Sequence, residues 1–253
     1  MKVIALDEHS ENAFWKHVNK DPLDYYFFIF DWKLNRDKVK ILLAEEDGNI
    51  AGLMLIYRDV VVQLRGNREA VRLLLNELTL EKVELQAPLD CEDLILSKYK
   101  MKTRQEMTLM SLRRGEESIR VTTKPIKLRL DDAEDVAELM RRADPLWWGE
   151  IEAEWLRLRM ADSLLLGIRY EGKIVSFGMA RLTDFGSNIS AIATRGECRN
   201  RGYATSIVSS LVSEILKISN TALIHVISDN GPAVHVYSKV GFRPYKTYLS
   251  IRT

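Results

Sequence analysis

Two stretches of this chain share one pattern of apolar and polar positions. Lys40-Ile41-Leu42-Leu43-Ala44 is followed by Asp47-Gly48-Asn49-Ile50-Ala51, and Leu164-Leu165-Leu166-Gly167 by Glu171-Gly172-Lys173-Ile174-Val175. An acidic residue and a glycine between two apolar runs predict a strand, a tight turn and a second strand. Further on, Ser97-Lys98 matches Ser238-Lys239, and a strand-like stretch follows each, Met101 to Leu109 and Tyr245 to Ile251. The two matches come in the same order at offsets of 124 and 141 residues, which points to an internal duplication.

The second half is the clearer copy. Ile126-Lys127-Leu128-Arg129-Leu130 alternates as a half-buried strand does. Ala133, Val136, Ala137 and Met140 then recur at helical spacing, with Asp131 as the expected cap and Glu134 three residues later. A second helix is expected over Ile151 to Met160, and strands near 164–169, 173–182 and 187–194. Ala204, Ile207, Val208, Leu211, Val212 and Ile215 form one apolar stripe, which predicts a helix over Arg201 to Ile218. A strand (Ala222 to Ile227), a short helix (Pro232 to Lys239) and a last strand complete the order β-α-α-β-β-β-α-β-α-β. That order predicts an α+β layer fold with a mixed sheet. The polar run Leu112 to Ser118, with Pro125 soon after, sets the expected division: domains over 1–112 and 125–253 with a linker at 113–124.

Composition narrows the function. The 253 residues carry 37 basic and 36 acidic side chains, a net charge of +1 that argues against a broadly basic nucleic-acid or membrane binder. No apolar run approaches the ~18 residues that span a bilayer. Asp7 and Glu8 come too early for a secretory signal. Cys91 and Cys198 are the only cysteines, too few for a disulfide framework, and no Cys/His cluster has zinc spacing. The expectation is a cytoplasmic protein without a metal.

The chemistry concentrates between a strand and the strongest helix, in Ala193-Thr194-Arg195-Gly196-Glu197-Cys198-Arg199-Asn200-Arg201-Gly202-Tyr203-Ala204-Thr205. A helix start has backbone N–H groups without intrahelical partners, and its dipole favours an anion. Gly202 allows close approach, Ala204 keeps the first turn uncluttered, and Arg199 and Arg201 can neutralise phosphate charge. Two arginines at a helix start are otherwise electrostatically unfavourable.

Arg199-x-x-Gly202-x-Ala204 resembles the acyl-CoA pyrophosphate loop of the GNAT superfamily of acyltransferases. The segment Asn230-Gly231-Pro232-Ala233, then Tyr237, then Gly241-Phe242, is similar to the C-terminal signature of that family. The resemblance covers residues 126–253 well and 1–112 only as a faint echo. It implies two tandem GNAT-like domains, each a mixed, mostly antiparallel sheet flanked by helices. It also implies an acetyl-CoA-dependent N-acetyltransferase that moves an acyl group to a primary amine by direct attack in a ternary complex. By resemblance, the main chain of Ile192, Ala193 and Thr194 would hold the pantetheine arm, and amides from Arg199 through Asn200, Arg201, Gly202, Tyr203, Ala204 and Thr205 the pyrophosphate. Asn230 would contact the cosubstrate near the pantetheine, Ala233 would pack beside it, and Tyr237 matches the general acid.

Other candidates carry less. Tyr237 could otherwise be a core aromatic. Glu150, Glu152 and Asp184 are candidate bases that read better as surface charges, and His225 and His235 read as structural. Trp147 and Trp148 would wall an acceptor site or pack on the core. The cluster Tyr25 to Trp32 reads as a buried element or an interface rather than a ligand wall. Aligned on Ser97-Lys98, the first half has Leu96 for Tyr237 and Leu89 for Asn230, and Gln63-x-x-Gly66 matches two positions of the loop before Arg68 breaks it. A degenerate first domain follows. The expected partners are an amine acceptor, small molecule or protein, and a second copy of the chain as a candidate, with no nucleic acid and no membrane. The alternatives are a CoA-binding regulatory module without turnover and an aminoacyl-tRNA-dependent transferase.

Overall fold

The computed structural model describes the backbone of residues 1–253 and every side chain except those of Leu146 and Trp147. The expectation for Trp147 therefore lies outside the described residues.

The first half runs β1 (Lys2–Ala5), α1 (Glu11–Val18), α2 (Tyr26–Leu34), β2 (Val39–Glu46), β3 (Asn49–Tyr57), β4 (Val61–Gly66), α3 (Arg68–Glu77), β5 (Glu84–Pro88), α4 (Glu92–Lys98) and β6 (Thr103–Arg113). The second runs β7 (Ile126–Lys127), α5 (Ala133–Ala143), α6 (Pro145–Trp148), α7 (Ala153–Met160), β8 (Leu164–Tyr170), β9 (Lys173–Arg181), β10 (Ser187–Thr194), α8 (Tyr203–Ile218), β11 (Thr221–Ile227), α9 (Gly231–Val240) and β12 (Arg243–Arg252). Apart from the short α6, the two orders are the same.

The repeat extends to backbone angles. Asp47 and Gly48 have φ of 50° and 77°, and so do Glu171 and Gly172. Two consecutive positive φ values suit the two-residue turn whose twist matches its strands. Glu46 pairs with Asn49 and Tyr170 with Lys173 across these turns.

The chain forms two compact units that do not divide it at one point. One holds Met1–Thr108, Ile227–Asp229 and Lys246–Thr253; the other holds Leu109–Val226 and Asn230–Tyr245. Expected in the second domain, the C-terminal strand instead closes the first unit, because Tyr248–Arg252 of β12 pairs antiparallel with Glu84–Pro88 of β5. Leu249 and Ile251 enter the first core beside Leu74, Leu75 and Leu85. Met110 and Leu112 of β6 enter the core of the second unit.

Three local expectations shift. The strand at Ile126–Leu130 shortens to two exposed residues. The cap before α5 is Asp132, which ends a 3-10 turn; its carboxylate accepts the Arg129 N–H at 2.7 Å, leaving Asp131 outside. The expected linker is fastened to α8. Ser206 Oγ accepts the N–H groups of Thr122 (3.1 Å) and Thr123 (3.3 Å), and Ser209 Oγ that of Arg120 (3.0 Å). Both serines are fully buried.

In the second unit the sheet is covered on both faces. Ile207, Val208, Leu211, Val212 and Ile215 of α8 are fully buried against one face, each worth roughly 1.5–3 kcal/mol. Val136, Ala137 and Met140 of α5 and Leu156 of α7 pack with Phe177 and Met179 on the other. The aromatic run Tyr25 to Trp32 forms α2, with Phe28, Phe30 and Trp32 buried.

Candidate active site

Strand β10 decides the geometry of the second unit. It pairs parallel with β11 through Ser187–Ala222, Asn188–Leu223 and Ile189–Ile224, and no further. Its antiparallel pairing with β9 continues to Thr194–Ser176, with an irregularity between Ile189 and Ala191. Beyond Ile189 the two parallel strands part. The edge of Ile192, Ala193 and Thr194 that faces away from β9 therefore has main-chain groups open to a ligand. These residues are half-buried. Their other edge is anchored: Ser176 Oγ donates to the Ala193 carbonyl at 3.1 Å, and the Arg195 N–H to the Val175 carbonyl at 2.8 Å.

The loop from Arg195 to Gly202 carries the chain from this edge to α8. Gly202 is the residue before the helix and has φ of 79°, a conformation that costs other residues ~1–2 kcal/mol. A Cβ there would meet only Thr122 Oγ1, at 3.2 Å. No side chain caps α8, whereas Asn67 caps α3 and Asn230 caps α9. Arg199, Asn200 and Arg201 are exposed, and Tyr203, Ala204 and Thr205 half-buried. Arg201 stands 5.6 Å from the Tyr170 ring centroid. Beside the loop, Leu139, Arg142, Thr194, Arg195 and Gly196 line a cleft. Arg142 was not marked by sequence, because a cationic last turn of a helix reads as a surface.

Tyr237 lies on α9 and is only 6% exposed, among Ile224, Val226 and Phe242. Burial pushes its phenol well above the ordinary value, so the hydroxyl keeps its proton at neutral pH. Asn230 Oδ1 accepts the Ala233 N–H at 3.2 Å, so this side chain starts α9. Ala233 is half-buried against the α8-side core. His235 is exposed, on a different face from Tyr237, and Glu150, Glu152 and Asp184 are exposed too. His225 is half-buried in β11. Trp148 packs against the core that Trp155 also borders, their rings 6.2 Å apart.

The first unit repeats the strand geometry and closes it. Strands β4 and β5 also pair parallel over three rungs, ending at Gln63–Gln86. Arg65, two residues on, is 2% exposed. Its guanidinium donates to Asp24 at 2.6 Å, to the side-chain carbonyls of Gln63 and Gln86, and lies 3.9 Å from the Tyr248 ring centroid. Arg65 thus ties β4 to the Gln86 side chain of β5 beyond their last rung. Gln63-x-x-Gly66 belongs to β4 and is not a loop; only Asn67 separates β4 from α3, and its side chain caps that helix by accepting the Ala70 N–H. Leu96, in the place of Tyr237, is 50% exposed.

The comparisons with known proteins agree with this geometry. Residues 165–251 match the family model described as FR47-like protein. A protein from Drosophila aligns with 99% of this chain and 97% of its own, at 14% identity and a TM-score of 0.75. An acetyltransferase from the GNAT family of Colwellia psychrerythraea aligns over 100% and 99%, at 12% identity and a TM-score of 0.59. A tandem GNAT protein from the clavulanic acid biosynthesis pathway aligns over 85% and 82%, at 11% identity and a TM-score of 0.56. The chain has a tandem GNAT fold. Identities this low speak for the fold alone. No curated protein matches the sequence. Among the described residues, no helix of this GNAT-fold chain is long and apolar enough to cross a membrane.

Proposed function

We propose that the chain is an acetyl-CoA-dependent N-acyltransferase that acylates a primary amine at one site, in the second unit. The observation that carries the reading is the parting of β10 from β11 beside a helix start that no side chain caps. The residues fit the cosubstrate. The open edge of Ile192, Ala193 and Thr194 suits an amide-bearing arm, and the amides from Arg199 to Thr205 suit a pyrophosphate. Gly202 leaves room where a side chain would intrude. Bound there, acetyl-CoA supplies an activated acyl thioester.

The chain's own contribution is positional and protic. Arg199 and Arg201 offset phosphate charge. Tyr237 keeps a proton on Oη that can be given to the leaving sulfur. In the first unit the buried Arg65 bridges the corresponding strands, from β4 to Gln86 of β5. Cys198 is buried and packs in the α8-side core, and direct amine attack needs no acyl-enzyme.

Release of CoA thiol tests this reading, with spermidine, an Nα-blocked lysine and a tripeptide with a free amino terminus as acceptors. At least one amine is expected to turn over, and Tyr237→Phe to lower kcat by about 10²–10³ with acetyl-CoA affinity kept. Binding of acetyl-CoA without turnover of any amine would favour a regulatory module.

A further inference from the structure

Asn188 presents an anomaly in the second unit. It is 6% exposed, and its Oδ1 is buried without a hydrogen-bond partner. Other buried polar side chains nearby are satisfied. Ser187 Oγ donates to the Thr183 carbonyl, Ser176 Oγ to the Ala193 carbonyl, and Ser206 and Ser209 accept backbone N–H groups. Among the described residues of this unit, Asn188 alone carries a buried side-chain oxygen or nitrogen without a partner. A buried acceptor left unpaired lowers stability, and an apolar residue of the same shape would not carry that penalty.

Its place in the strand says which face it serves. Ile189 and Ile192 pack on the α8-side core, while Ala191 and Ala193 pack on the core of α5 and α7. Side chains alternate along a strand, so Asn188 lies on the α5/α7 face, opposite the helix that begins at the proposed phosphate site. Its neighbours across the sheet are Arg181 on β9 and Leu223 on β11. One rung later the strands part. An unpaired carbonyl at the root of this opening, on the face away from the phosphate loop, suits an incoming N–H group.

We propose that Asn188 Oδ1 accepts a hydrogen bond from the acceptor amine and orients it toward the opening between β10 and β11. This rests on the acyltransferase reading above. A carboxamide has no basic site near neutral pH, so Asn188 holds the amine without taking its proton. It is a positioning residue for the nucleophile and sets a requirement for an N–H donor.

Two variants test this in the full chain. Asn188→Leu removes the acceptor and keeps the volume; Asn188→Asp keeps an acceptor oxygen. Asn188→Leu is expected to melt no lower than the wild type and to bind acetyl-CoA with unchanged Kd. Its KM for the amine that turns over is expected to rise about tenfold or more, the loss of one hydrogen bond that its partner cannot replace. Asn188→Asp should recover most of that KM. A readout free of turnover is the Asn188 side-chain amide resonance of the CoA-loaded protein, which should shift saturably with propylamine. An unchanged amine KM in Asn188→Leu, or an Asn188 resonance indifferent to propylamine, would overturn the proposal. Equal loss of acetyl-CoA binding and melting temperature in Asn188→Leu would also overturn it, in favour of a structural role. Wild-type protein that binds no acetyl-CoA would overturn the acyltransferase reading itself, and this one with it.

Discussion

Asp24 and Arg65 form a buried ion pair in the first unit. Burial alone would push the Asp24 carboxyl up, but the Arg65 guanidinium, the Lys246 ammonium and the Tyr248 hydroxyl outweigh it and hold it below the usual carboxylate value. A depressed pKa in the folded state adds stability above the unfolded value of about 3.9, and that stability is lost as pH falls through the folded value. Acid should therefore weaken the first unit below about pH 4. Asp24→Asn should destabilise by about 3–5 kcal/mol at neutral pH, because it leaves Arg65 buried without its counter-charge. Urea titrations at pH 7 and pH 3.5 check both, with the difference between wild type and variant shrinking at the lower pH. Nothing in the sequence marked Arg65, since an arginine in an alternating stretch reads as solvent-facing. Gly202 was legible, because a glycine before an apolar stripe has a specific use at a helix start.

At the level of elements, local patterns were enough to order the chain. The two acidic-glycine turns and the helical stripe of α8 are encoded within a few residues of themselves, and they appear where the periodicity put them. The strap over α8 was not readable. Its polar composition suggested a free linker, while its N–H groups are held by serines more than 80 residues away. Ser206 and Ser209 share α8 with Thr205, Ser210 and Ser213, so nothing local singles them out. Ser206→Ala should cost about 1–3 kcal/mol by leaving the Thr122 and Thr123 N–H groups without their acceptor. Hydrogen exchange at these two amides should accelerate, while amides in the middle of α8 stay protected. Asn188 had no local signal either, because its strand also holds Ser187, Ser190 and Thr194, and only the missing partner in the folded chain marks it.

For the whole molecule, the duplication is visible in element order, and the division into units is not. Which strand completes which sheet is settled by pairing between distant segments. Thus Lys246–Thr253 completes the first unit, carrying Tyr248 to Asp24 and Leu249 to the core. A fragment of residues 1–112 lacks that strand, leaves one edge of β5 bare and strips two partners from Asp24. It should show no cooperative unfolding transition by circular dichroism, while the full chain does. One of the two copies in the chain is proposed to hold a working site. Calorimetric titration with acetyl-CoA, run beside Gly202→Glu, tests it most directly. Saturation at one equivalent per chain is expected, and no binding to the variant, in which a carboxylate sits at the strained position before α8. Two equivalents per chain, or wild-type binding that Gly202→Glu leaves intact, would contradict it.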